Sequence, residues 1–402
     1  MESYFLDWAN LLLRWAHVVT VIAWIGASFY FVFLDLSLVP AQDEELKKQG
    51  VTGELWALHG GGFYHPVKYA VSPPTLPEHV HWFYWEAYST WLTGFALFTV
   101  SYLWSADTYL IDKSRMAWSE PAAIGVALSF LVAFWILYDA ICRVFGSRKH
   151  GDALVGALVS LVICIAAWLA CHWFAGRAAF LLVGAMIATA MAANVFFVII
   201  PGQKKVVAAI KAGEPPDPIH GERGKQRSVH NTYFTLPVLF AMLSNHYSFT
   251  WSHPRNWLVL IVMMFAGAAV RQFFVLRHGW KLGRHAHPLA YALAGVAAII
   301  AVVVWLRPDE SSAAATAAPA PQAASYAQVQ KVFEQRCYMC HGAQVQMKNV
   351  RLDSPQAVKQ HAQSVYQMAV VTKLMPMNNA TGITESERAL IGQWYREGAK
   401  VP

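Results

Sequence analysis

Charge is scarce in this chain. Only 14% of its 402 residues are Asp, Glu, Lys or Arg, well under the roughly 25% of ordinary soluble domains. So few charges cannot clothe a water-facing surface of this length. The net charge of +7 comes with no basic tract interleaved with aromatics, so no nucleic-acid partner is expected. Cysteine is sparse too. The five present form no disulfide framework. Cys142, Cys164 and Cys171 lie in or beside apolar runs and read as small buried hydrophobes. A cleavable signal peptide is missing as well. The first apolar run, 11–34, is too long for a signal core and lacks a basic start and a small-residue cleavage site. It reads as an uncleaved first span.

Apolar residues dominate instead: 56% of the chain, with 17 Trp, 22 Phe and 16 Tyr. About 20 apolar residues make a helix long enough to cross a bilayer. Such runs occur at 11–34, 84–104, 121–142, 153–174, 178–200, 232–249, 256–276 and 288–306, giving eight expected spans. The sixth is the weakest, because Pro237 and Ser244-Asn245-His246 interrupt it. The runs are continuous, not alternating, which favours helices over barrel strands. Fifteen Lys and Arg fall on the odd-numbered connections and four on the even ones. The positive-inside rule makes the odd connections cytoplasmic and puts both termini outside, periplasmic in a bacterial inner membrane. The expected fold is all-α: an eight-helix transmembrane bundle over 1–306, an Ala/Pro/Ser-rich tether over 307–323, and a small helical domain over 324–402. In that last segment Thr384-x-x-Glu387 reads as a capping box. Ser354 with Pro355 reads as an N-cap and first helical position.

The tail carries "CYMCH". Two thiols three residues apart on one helical turn can each bond a vinyl group of one haem, and the adjacent histidine then faces the iron. Cys337, Cys340 and His341 therefore predict one covalently attached haem c. Structural zinc is the rival, but it needs a second Cys or His pair, and none is evident. "KLMPMNN" precedes the last helix. A Met-Pro in that position resembles the ligand loop of small class I cytochromes c. That resemblance implies Met375 as sixth ligand, with Met377 and then His361 as alternatives. Methionine ligation raises the potential relative to histidine, which suits an electron acceptor.

Polar residues inside apolar runs are costly and mark function or packing. His17 shares a helix face with Thr20, Trp24 and Ser28. Ligation of a b-type haem, helix packing and a substrate or quinone contact all remain open for it. Arg271, deep in the seventh run, calls for an anion: Asp139, Glu86 or a bound substrate. The first connection holds His59, His65, His79 and His81 among aromatics and glycines, followed by Glu86. It reads as either an amphipathic surface segment or a ring-stacking site, and its histidine spacing fits no standard zinc pattern. Arg227, His230 and Asn231 open the sixth run.

Taken together, "WAHVVTVIAWIGASFYFVFLDLSL", "LWALHGGGFYHPVKY", "HWFYWEAYSTWLTGF", "RSVHNTYFTLPVLFAMLSNHY" and the tail resemble the bacterial membrane-bound urate hydroxylases (urate oxidases) with a fused C-terminal cytochrome c. The resemblance runs over essentially the whole chain. It implies oxidation of urate to 5-hydroxyisourate, with oxygen from water. Electrons would pass to haem c and on to a periplasmic cytochrome or terminal oxidase. Glu86, His81 and His230 are then the acid–base candidates, and Arg227 or Arg271 the anion partner. From a different class, a non-catalytic quinol-to-cytochrome conduit and a solute transporter with a redox-sensing tail also match the composition.

Overall fold

The computed structural model describes residues 2–69, 72–307, 324–347, 350–371 and 373–402. Most of the tether expected over 307–323 therefore lies outside the described residues. The protein is mostly helical. Its long elements are α1 (Glu2–Ser37), α2 (Trp85–Phe98), α3 (Glu120–Phe145), α4 (Gly151–Trp173), α5 (Gly176–Ala193), α6 (Ile200–Lys211), α7 (Pro218–Leu243), α8 (Asn256–Lys281) and α9 (Leu289–Trp305). A π-helical segment, Asn194–Ile199, joins α5 to α6 into one rod.

Among the described residues five helices are long and apolar enough to cross a membrane: Tyr4–Ser37, Glu120–Phe145, Gly151–Trp173, Gly176–Lys211 and Asn256–Lys281. Three expected spans fall short of that standard, each for its own reason. The second is a 14-residue α-helix that passes into a π-helical segment, Thr99–Leu103. In the sixth, α7 starts at Pro218, capped by Asp217, and is polar through its first half; it continues through Pro237 and ends in a 3-10 turn, Ser244–His246. The eighth has only 17 residues. The bundle surface is rich in exposed apolar side chains, among them Trp15, Ile22, Val303 and Val304. So many exposed apolar side chains suit lipid contact better than water.

The all-helical expectation also needs one correction. The first connection folds into two small antiparallel ribbons. β1 (Val51–Glu54) pairs with β4 (Val67–Tyr69), and β2 (Ala57–His59) with β3 (Gly62–Tyr64). The hairpin turn is made by Gly60 and Gly61, both at positive φ, where a side chain would be strained.

α5 is the central helix. Its Ala- and Gly-rich sequence lets neighbours approach closely, and it packs on α3, α4, α7 and α2. Two ends of the bundle can be told apart by their contacts. At the basic end, Arg284 Nη2 donates to the Leu38 carbonyl (2.7 Å), tying the α8–α9 connection to the exit of α1. At the opposite end, Trp118 Nε1 donates to the Trp173 carbonyl (3.0 Å) and Arg177 Nε to Asn245 Oδ1 (2.9 Å).

The tail has its own core of Val329, Phe333, Val358, Ile391 and Trp394. It is built from α10 (Tyr326–Arg336), α11 (Tyr338–His341), α12 (Pro355–Val365) and α13 (Glu385–Arg396). The Thr384–Glu387 capping box is present in both directions, and Ser354 caps α12 with Pro355 in its first turn.

Candidate functional site

The deepest polar cluster of the bundle sits between α3, α5 and α7. Asn194 is wholly buried, at the start of the π-helical segment after α5. Its Nδ2 donates to Tyr138 Oη (3.0 Å) and to Asn231 Oδ1 (2.8 Å). Asn231 Nδ2 in turn donates to the Met191 carbonyl (3.1 Å). The Tyr138 hydroxyl also meets His230 Nδ1 at 2.8 Å. Every amide and hydroxyl here has a partner, as buried polar groups require. Arg227, only 3% exposed, closes the cluster. Its Nη2 donates to Asp139 Oδ1 (2.7 Å), and its guanidinium lies 4.8 Å from the Tyr138 ring centroid. Arg143 Nε takes the other carboxylate oxygen of Asp139 at 2.6 Å. Asp139 is thus spent on Arg227 and Arg143 and does not serve Arg271.

This cluster borders a cavity of about 830 Å³ walled by α3, α4, α7 and α8. Tyr138, Arg227, His230 and Tyr233 supply polar edges, while Val159, Ile163 and Phe234 make apolar walls. The size and the mix of few polar groups on apolar walls are those of a small-molecule site. Because His230 Nδ1 is held by Tyr138, Nε2 is the ring nitrogen left for a cavity ligand.

The other expected residues are dispersed. His81 lies edge-on to Phe83 (4.6 Å). His65 stacks on Trp56 (4.0 Å) and bonds Glu54 Oε2 (2.6 Å). The Gln42 amide and His65 hold the Glu54 carboxyl below the ordinary carboxylate range. His59 is exposed on β2. No group of three His, Cys, Asp or Glu able to hold a metal occurs among the described residues. His17 Nδ1 lies 3.1 Å from Thr93 Oγ1, and its ring packs over Gly94, where a Cβ would come within 2.7 Å of Cε1. Glu86 Oε2 and the Nε and Nη2 of Arg271 are buried with no hydrogen-bond partner among the described residues.

In the tail, Cys337 and Cys340 are free thiols on one turn: the amides of Cys340 and His341 both donate to the Cys337 carbonyl, at 3.1 and 2.9 Å. Burial pushes the Cys337 thiol up to about 12, helped by the Cys340 sulfur, and raises Cys340 also. His341 Nδ1 lies 3.2 Å from the Val350 carbonyl. That bond fixes the tautomer and leaves Nε2 free to ligate, the usual second-sphere arrangement for a metal-binding histidine. Met375 is fastened by its backbone. Its amide donates to the Met368 carbonyl (3.0 Å), and its own carbonyl accepts from Arg388 Nη1 (2.7 Å). Arg388 is 5% exposed and also donates to the Ala369 carbonyl. Thiol spacing, histidine tautomer and a pinned methionine loop all fit a covalent haem.

The methionine loop rests on the bundle end opposite the basic loops. Arg177 Nη1 reaches Met377 Sδ at 4.0 Å. A cleft of about 400 Å³ between the two parts is lined by Arg115, Arg177, Asn245, His246, Met375 and Met377, among others.

Sequence reasoning missed three members of these sites. Asn194 is an amide in the middle of an apolar run and was visible on that ground. Tyr138 gave no signal that separated it from the other aromatics. Arg388 sits in "ERALIGQW" on the apolar side of α13, a cation where a hydrophobe is expected.

A mostly helical chain with several membrane-length helices and a buried polar network beside a small-molecule cavity is compatible with a helical membrane protein. A model described as urate oxidase N-terminal matches residues 3–307. The chain belongs to that family, and the match ends where the bundle ends, leaving the tail outside it. No curated protein and no solved structure matches the chain.

Proposed function

We propose that the protein is a membrane-bound urate hydroxylase that passes electrons from its bundle to a haem c on its own tail. The basic end of the bundle is cytoplasmic in this reading, and the tail is periplasmic. The observation that carries it is the seating of the Met375–Met377 loop on the far end of a bundle from the urate oxidase N-terminal family. A tail placed there is positioned to drain electrons from the bundle.

The overall change is urate plus water to 5-hydroxyisourate, two electrons and two protons. Urate is flat and anionic. The cavity offers it apolar walls, the Tyr138 and Phe234 rings, and the free edge of His230. Loss of two electrons and a proton leaves C5 electrophilic. With His230 Nδ1–H donating to Tyr138 Oη and Nε2 bare, Nε2 takes a proton from the water that adds there, a step general bases accelerate by about 10²–10⁴-fold. Arg227 and Asp139 hold this face of the cavity in shape. In the tail, Cys337 and Cys340 would hold the haem covalently and His341 and Met375 would ligate it. A haem held there would supply one-electron acceptance at a potential raised by methionine, so two successive transfers would serve each urate. The electrons then leave for a periplasmic cytochrome or terminal oxidase. His17, packed against Thr93 and Gly94, is given no step in this reading.

The oxygen source tests this reading. Turnover in ¹⁸O-labelled water with an artificial acceptor should place the label in 5-hydroxyisourate and form no peroxide. Label arriving from ¹⁸O₂, with stoichiometric peroxide, would overturn it.

A further inference from the structure

Two buried arginines lie in or next to the cavity, and they differ in one respect. Arg227 is neutralised by Asp139 at 2.7 Å. Arg271, 7% exposed, has no carboxylate within ion-pair distance among the described residues. A buried cation without a counter-charge costs several kcal/mol, and a chain retains one only where something completes it. Phe29 of α1 covers one face of the guanidinium, with Cζ 4.0 Å from the ring centroid. A ring on the face leaves the in-plane edge, which is buried, without a hydrogen-bond partner among the described residues. The unpartnered atoms, Nε and Nη2, are the pair that forms a two-pronged bond with two adjacent acceptors.

The position agrees with this. Met264 and Ala268 of α8 line the cavity. Arg271 follows at i+7 and i+3, on the same helical stripe. Tyr233 also lines the cavity and donates its hydroxyl to Gln272, the next residue. Arg271 is not itself a lining residue; it stands one turn past Ala268 along α8.

We infer that Arg271 is the anion anchor of the substrate site, binding a planar monoanion of the urate class through Nε and Nη2, with Phe29 keeping its plane. The inference rests on the functional reading above and adds the residue that recognises the substrate's charge. Arg227 has the structural role of locking α7 to α3.

The test is equilibrium binding of urate to the full-length protein with its haem reduced beforehand, so that bound urate stays intact. Wild type, Arg271→Gln and Arg271→Lys are compared by titration calorimetry and by the urate-induced rise in Tm. Arg271→Gln should raise Kd about tenfold or more, and Arg271→Lys should retain part of the affinity. Both should leave covalent haem content unchanged. The ligand-free Tm of Arg271→Gln should equal or exceed that of wild type, because an uncompensated buried charge is removed. Wild-type affinity in Arg271→Gln would overturn the assignment, as would a fall of several degrees in ligand-free Tm with binding intact, the mark of a structural partner. A wild type that binds no urate would instead overturn the functional reading, and urate as the ligand with it.

Discussion

Arg177 donates from Nη1 to the sulfur of Met377 across 4.0 Å, while its Nε is held by Asn245 at 2.9 Å. Asn245 also accepts from the hydroxyl of Tyr102, a core residue of the bundle (2.7 Å). A polar chain thus runs from the bundle interior to the loop that carries the proposed sixth ligand. Removing Arg177 should loosen that seat while leaving the Cys337–His341 turn intact. Arg177→Gln is expected to slow urate-driven haem reduction about tenfold in stopped-flow mixing. Reduction by ascorbate, which reaches the tail from solvent, should be unchanged.

The ligand set separates Met375 from Met377. Met375→His should keep the haem covalently attached but lower its potential, because histidine ligation favours the oxidised iron more than methionine does. Urate should then reduce it poorly. Met377→Leu should leave the potential close to wild type. Redox potentiometry of the two variants decides between the sulfurs.

His230 and Tyr138 are expected to part in their effects. His230→Gln should lower kcat by about 10²–10⁴ with little change in haem content. Tyr138→Phe removes the hydroxyl shared by His230 and Asn194, leaving buried groups unpaired at a cost of about 1–3 kcal/mol. It should lower Tm more than His230→Gln does. Steady-state kinetics beside thermal unfolding checks both.

How far these features could be read from the sequence depended on the kind of signal. Long apolar runs carried α1, α3, α4, α5 and α8, because lipid-length hydrophobicity is local; α6, whose Lys204, Lys205 and Lys211 read as connection, is helix. α7 was harder: its amphipathic first half carries Arg227 and His230, whose partners lie on α3 and α5, far away in sequence. The ribbons of the first connection were missed because Trp, Tyr and Gly serve strand and membrane-surface segment alike. The tail helices announced themselves by Thr384–Glu387 and Ser354, since caps are short-range. That Arg271 would be left without a carboxylate could not be read at all, because it depends on Asp139 being taken twice.

Gly94 offers a packing test in the same helices. A Cβ there would meet His17 Cε1 at 2.7 Å, so Gly94→Ala should push α1 from α2. The expected loss is about 1–3 kcal/mol, the usual cost of overpacking, seen as a lower Tm in detergent.

The decisive measurement is anaerobic addition of urate to the purified, oxidised protein while the α-band of reduced haem c is recorded. One urate should reduce two haems, and Cys337→Ser, lacking covalent haem, should show neither the band nor turnover. A haem that stays oxidised in wild type with excess urate, or turnover that survives Cys337→Ser, would contradict the account.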